Sequence, residues 1–145
     1  MTNDLRVVID TNVLVSGLFG IKNSPSYQIL QAIREQKIIL VTSPVILEEI
    51  GDVISRKRIV KLTKMNEEEQ KKFIEGIVER SDVTAGKQLS KIVGRDVNDD
   101  KFLACAHEAR ADYIVTGDSD ILVLKEYEGI KIVKPREFVG LLKSL

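Results

Sequence analysis

Three short runs in this chain, Leu5 to Ile9 (LRVVI), Ile38 to Val41 (IILV) and Tyr113 to Thr116 (YIVT), are apolar almost without interruption. A strand with one wet face would alternate apolar and polar residues, so these runs predict strands covered on both faces. The segments between them read as helices. Ser24-Pro25 and Ser43-Pro44 each pair an N-capping hydroxyl with proline at the first helical position. Tyr27, Ile29, Leu30 and Ile33 supply the apolar positions behind the first signal, and Ile46, Leu47, Ile50, Val53 and Ile54 form a stripe behind the second. Asn66 opens a third helix with Glu67, Glu68 and Glu69, acids that complement the helix dipole, and this helix carries Phe73, Ile77 and Val78. Another helix, from about Asp99 to Ala109, feeds the Tyr113 strand. A last strand is expected at Ile130 to Val133, and Pro135 starts a closing helix with Phe138, Leu141 and Leu142 inside. The stretch from Ser81 to Gly94 has the weakest pattern, with one strand expected at Lys91 to Val93. Strands alternating with helices predict an α/β domain built on a parallel sheet.

Composition limits what such a domain can do. The chain of 145 residues is 43% hydrophobic, enough for one core, and a single domain over 1–145 is expected. The one cysteine, Cys105, rules out an internal disulfide, and the one histidine, His107, rules out His-rich zinc sites. No apolar run approaches the roughly 18 residues of a membrane span, and Met1 to Arg6 lacks the build of a signal peptide. A cytoplasmic location with no membrane partner is the expectation. The 22 basic and 22 acidic residues balance, which excludes a blanket positive field but not a local one. Arg56, Lys57, Arg58, Lys61 and Lys64 form such a cluster after the second helix, and could track a phosphate backbone or face water as a solvated helix surface. Lys22, Arg95 and Lys101 are further cations near acids in sequence. Three Tyr and four Phe, mostly at core-like positions, offer no stacking platform for bases.

The acids are more telling. Ligands of parallel sheets bind beyond the C-terminal ends of the strands, where Asp10 follows the first run and Asp118 and Asp120 follow the Tyr113 run. On the second helix, Glu49 falls at the border of the apolar stripe and can face a cleft, whereas Glu48 falls nearly opposite and should face water. Asp96, Asp99 and Asp100 stand at a helix start, and periodicity does not choose between Asp99 and Asp100. Each of these acids alone would pass for a turn, a cap or a solvated flank. Gathered at one edge, they repel unless a cation joins them. All-oxygen ligation suits Mg²⁺ or Mn²⁺, one or two ions, the two-ion form placing them about 4 Å apart on a phosphodiester.

Three segments in order, VVIDTNVLVSG (Val7 to Gly17), SPVILEEI (Ser43 to Ile50) and DDKFLACA with ADYIVTGDSDIL (Asp99 to Leu122), resemble the PIN domain. They are most similar to the PIN ribonucleases of toxin–antitoxin systems, the VapC-like toxins. The similarity spans nearly the whole chain, with Ser55 to Lys91 contributing little. It implies a three-layer α/β/α sandwich around a mostly parallel sheet of four to five strands. It also implies a metal-dependent endoribonuclease whose acidic site is Asp10, Glu49, Asp100 and Asp118, with Asp120 as a fifth acid found in some members. The resemblance thus selects Asp100 over Asp99. Thr11, Asn12 and Thr116 match positions that often carry hydroxyl or amide groups beside the metal, and Arg56, Lys57 and Arg58 are the remaining candidates for substrate contact. An antitoxin protein and a second copy of the chain are the partners implied, and RNA the substrate.

On this basis Asp10, Asp100 and Asp118 would be metal ligands, Glu49 would hold a second ion or orient the attacking water, and water activated at the metal would be the nucleophile. His107, seven residues past Asp100 on one predicted helix, is too distant for a base, and Cys105 between alanines reads as a buried hydrophobe. A phosphohydrolase of the haloacid dehalogenase type also places Asp after its first strand. That chemistry needs a second Asp two residues on, where this chain has Asn12. A non-catalytic RNA-binding or scaffold protein on the same fold is the alternative that intact ligands alone do not exclude.

Overall fold

The computed structural model describes residues 5–85 and 97–144, with side chains described at 5–85 and 101–144. The expected strand at Lys91 to Val93, together with Arg95 and Asp96, lies outside the described residues. Among the described residues, six strands pair into one sheet: β1 (Arg6–Ile9), β2 (Ile39–Thr42), β3 (Ser81–Val83), β4 (Tyr113–Val115), β5 (Glu126–Tyr127) and β6 (Ile130–Val133), in spatial order β3-β2-β1-β4-β6-β5. All neighbours are parallel except the short edge strand β5, which runs antiparallel to β6. The mostly parallel α/β architecture expected from the sequence is therefore present. Among the described residues the count is six, above the four to five expected, because β5 is a two-residue return and β3 a three-residue edge strand.

The central strands explain why the sheet must be covered on both faces. Val7, Val8 and Ile9 of β1, Leu40 and Val41 of β2, and Ile114 and Val115 of β4 are all buried. Helix α1 (Thr11–Ser16) leaves the end of β1 and passes through a 3-10 turn (Gly17–Phe19) toward α2 (Pro25–Arg34). Gly17 allows the close approach here, since a Cβ at this position would come within 2.8 Å of the Ser26 carbonyl oxygen and 3.1 Å of Leu30 Cβ. Both proline starts are used: Ser24 caps α2 and Ser43 caps α3 (Pro44–Ile54). The basic stretch forms its own helix, α4 (Lys57–Thr63), and α5 (Glu67–Glu79) begins with a capping box between Asn66 and Glu69. Helix α6 (Val97–Ala109) packs on β1, β2 and β4. The short α7 (Ser119–Leu122) follows β4, and α8 (Pro135–Lys143) closes the chain against α2. Phe138 of α8 is fully buried and meets Tyr113 edge to face. Leu141, expected inside, is instead exposed, as is Val78 of α5.

Strand order now fixes where a ligand can sit. From β1 the chain steps in one direction to β2 and β3, then returns to place β4 on the other side of β1 before continuing to β6. Crossovers of parallel strands are right-handed, so helices leaving β1 and β4 pack on opposite faces and a crevice opens between the C-terminal ends of these two strands.

Candidate active site

The residues at that crevice are Asp10, directly after β1, and Asp118, beyond Thr116 and Gly117 at the end of β4. Each acid has a local reason for its position. Asp10 caps α1, its Oδ1 accepting the Asn12 backbone N–H at 3.1 Å, and Asp118 caps α7, its Oδ1 accepting the Asp120 backbone N–H at 2.8 Å. Capping leaves each carboxylate oxygen with further lone pairs. Both acids, with Asn12, Val13, Ser16, Ser26, Gly117 and Pro135, line one open cleft of about 440 Å³.

Thr116, wholly buried, joins the two strands at this point. Its hydroxyl donates to Asp10 Oδ2 at 2.6 Å and accepts the Asp118 backbone N–H at 3.0 Å. Asp10 is itself only 8% exposed. Burial raises its carboxyl above the usual 3.8, the Thr116 and Asn12 hydrogen bonds oppose the rise, and the charges of Glu49 and Asp118 add to it. A carboxylate that is desolvated and faced by two more acids is a receptor for positive charge.

Glu49 is partly buried on α3 and Glu48 exposed, as the helical stripe predicts. Yet Glu49 does not line the cleft beside Asp10. Its Oε1 accepts from the buried Thr11 hydroxyl at 2.5 Å, and its Oε2 lies 2.7 Å from Lys101 Nζ. Lys101 lies near the start of α6 with its side chain only 7% exposed, its ammonium also 5.2 Å from the centroid of the Phe102 ring. Sequence reasoning placed Lys101 only among cations that could meet a phosphate. A signal was available: Phe102 to Ala106 (FLACA) is apolar all round, and a helix buried all round also buries the lysine that precedes that run.

The other candidates fall as follows. Asn12 is exposed on the cleft wall, whereas Thr11 and Thr116 are buried and act on acids rather than on a ligand. Asp120 is exposed in the first turn of α7 and does not line the cleft. Asp99 and Asp100 stand in the first turn of α6, and their side chains lie outside the described residues. Arg56, Lys57, Arg58, Lys61 and Lys64 are all exposed on or beside α4, which packs against the 3-10 turn that follows α1. His107, six residues beyond Lys101 on α6, is exposed and pairs with Glu128. Burial pushes the Cys105 thiol up to about 12, so it is no nucleophile.

Among the described residues, no group of three His, Cys, Asp or Glu side chains is gathered around one point. Two carboxylates and an amide oxygen on one open cleft are nonetheless the donor set suited to a hard divalent cation, which binds through one or two carboxylates and keeps much of its water. No helix among the described residues is long and apolar enough to cross a membrane.

Comparison with known proteins agrees with this fold. Residues 6–120 match the PIN domain family. The chain is 34% identical over 143 residues to the uncharacterized protein MJ1680 of Methanocaldococcus jannaschii, covering 93% of this chain and 90% of that protein. It also superposes on a chain in the crystal structure of VapBC2 from Rickettsia felis bound to a DNA fragment from their promoter. That likeness has a TM-score of 0.55 and 14% identity, covering 90% of this chain and 98% of the other, and it speaks to fold. A doubly covered parallel sheet whose first strand ends in a buried aspartate, matched over residues 6–120, places this chain in the PIN domain family.

Proposed function

We propose that this chain is a Mg²⁺- or Mn²⁺-dependent endoribonuclease that hydrolyses RNA phosphodiester bonds, acting as the toxin of a toxin–antitoxin pair. The observation carrying this reading is the cleft shared by Asp10 and Asp118, with Asp10 pinned by Thr116 and its carboxyl raised first by burial and then by its acidic neighbours. Asp10 and Asp118 would hold the ion, joined by Asp100 from the start of α6. Bound there, a divalent ion supplies Lewis-acid polarisation of water and phosphate and neutralises charge developing at the leaving oxygen.

The chain's own residues do the rest. Thr116 fixes the spacing of Asp10 and Asp118 by binding one through its hydroxyl hydrogen and the other's backbone through its lone pair. Asn12, on the cleft wall, can donate its amide to a phosphate oxygen, and the Ser16 and Ser26 hydroxyls stand on the same wall. Arg56, Lys57 and Arg58 are exposed at the start of α4, which packs against the 3-10 turn after α1, and would be further contacts for the RNA backbone. An antitoxin and a second copy of the chain are the protein partners in this reading.

A mixed single-stranded RNA pool, incubated with wild type or Asp10→Asn in Mn²⁺, Mg²⁺ or EDTA after both proteins are shown to be folded, tests the activity. Cleavage is expected only for wild type with metal. If neither protein cuts while millimolar Mn²⁺ still raises the melting temperature, the metal site stands, and the chain either cuts a substrate narrower than the pool or binds RNA without turnover. Growth arrest on expression of wild type but not of Asp10→Asn tests the toxin role.

A further inference from the structure

Asp10 and Glu49 both have their two oxygens engaged, but Asp10 by a hydroxyl and a backbone amide, whereas Glu49 is held by the Thr11 hydroxyl on one side and by the Lys101 ammonium on the other. The lysine is the unexpected member. Its side chain is buried, its ammonium has Glu49 within salt-bridge distance, and the ring of Phe102 lies on another side. A buried ammonium separated from its counter-ion keeps the full penalty of desolvation, so Lys101 is not readily displaced from Glu49. A divalent ion binding Glu49 Oε2 would have to sit against this ammonium or expel it toward apolar side chains, and either arrangement opposes binding.

We propose that Lys101 is a built-in counter-ion that withholds Glu49 from metal ligation, so that the cleft works with one divalent ion held on the Asp10 and Asp118 side. This rests on the metal-dependent reading above and narrows it. Glu49 then acts as an oriented hydrogen-bond acceptor. Thr11, adjacent to Asp10 in the chain and bonded to Glu49, couples the acid's position to the cleft. Lys101 is a positioning residue: it acts through Glu49 and sets how many ions the site accepts.

Calorimetric titration of the full chain with Mn²⁺ alone reads the stoichiometry directly. Wild type and Lys101→Arg are expected to bind one ion per chain, and Lys101→Met, with Glu49 released, to bind a second. Two ions on wild type, or a single ion on folded Lys101→Met, would overturn the proposal. Glu49→Gln provides the check that does not depend on Lys101→Met folding. It should keep one Mn²⁺ with affinity within about twofold of wild type, and loss of that ion would show Glu49 to be a ligand. The outcomes separate from those of the parent reading: no Mn²⁺ bound by wild type removes the metal site and this inference together, whereas two ions on wild type remove only this inference.

Discussion

The Glu49–Lys101 pair gives a stability prediction that is independent of any bound ion. Glu49→Gln keeps the shape of the side chain and leaves an oxygen for one of its two donors, but it removes the charge facing an ammonium that is only 7% exposed at its side chain. Breaking a fully buried pair by neutralising one partner costs about 3–5 kcal/mol. Glu49 is 31% exposed, so water screens part of the interaction, and the expected loss is nearer 2–3 kcal/mol. For a chain of 145 residues that is a fall in melting temperature of roughly 6–10 °C. Lys101→Met removes the buried cation and leaves Glu49 with the Thr11 hydroxyl and partial access to water, so its cost should be smaller, about 1–2 kcal/mol. The double variant should cost less than the sum of the singles, with a coupling of about 1–2 kcal/mol. Urea unfolding followed by circular dichroism, in EDTA, measures all corners of the cycle. Additive singles, or a Glu49→Gln protein as stable as wild type, would refute the reasoning by showing that the buried ammonium does not depend on Glu49.

Other expectations concern the cleft and the fold beneath it. Because the folded chain raises the Asp10 carboxyl above its ordinary 3.8, the folded state holds that proton more tightly than the unfolded one. Its contribution is complete below the unfolded value and is lost as pH rises through the folded value. Asp10→Asn lacks this loss, so the melting temperature of the variant relative to metal-free wild type should climb between acid and neutral pH; a difference flat from pH 4 to 8 would contradict it. Gly17→Ala forces a Cβ against the Ser26 carbonyl oxygen, a backbone atom that cannot rotate away, and should cost about 2–3 kcal/mol by chemical denaturation, whereas an unchanged midpoint would mean that α1 and α2 can separate freely. Replacing Arg56, Lys57 and Arg58 together by Glu should weaken binding to single-stranded RNA and flatten its salt dependence by a slope of about 2, if each cation neutralises one phosphate. An unchanged slope would assign α4 to solvent.

Much of this architecture is legible in the sequence because several signals coincide. The Ser-Pro pairs at 24–25 and 43–44 start helices where expected, and the uninterrupted apolar β1, β2 and β4 announce a sheet covered on both faces. The edge strand β3 was not foreseen, since its sequence, Ser-Asp-Val, is short and largely exposed and owes its conformation to pairing with β2. Tertiary context there overrides propensity. Asp10 and Asp118 are readable as strand-end acids, but their convergence depends on β4 returning beside β1, which spacing alone does not dictate. The tie between Glu49 and Lys101 was hidden for a further reason. The two residues are 52 positions apart, and although the apolar run after Lys101 foretells its burial, only the tertiary fold shows that Glu49 is the anion beside it.

The place of β1 in the sheet also bears on how the molecule comes into being. This strand leaves the ribosome ahead of the other described strands, yet its pairing with β4, and the hydrogen bond from Thr116 to Asp10, close a separation of 106 residues. Contacts of such long range form late, after the entropy of closing a large loop has been overcome. Until residues 113–115 emerge, β1 can pair only with β2, and one row of its backbone amides and carbonyls stays open along an apolar edge. A nascent or truncated chain lacking β4 would therefore be prone to self-association and would have no cleft. The cleft and protection from aggregation are acquired in the same late step.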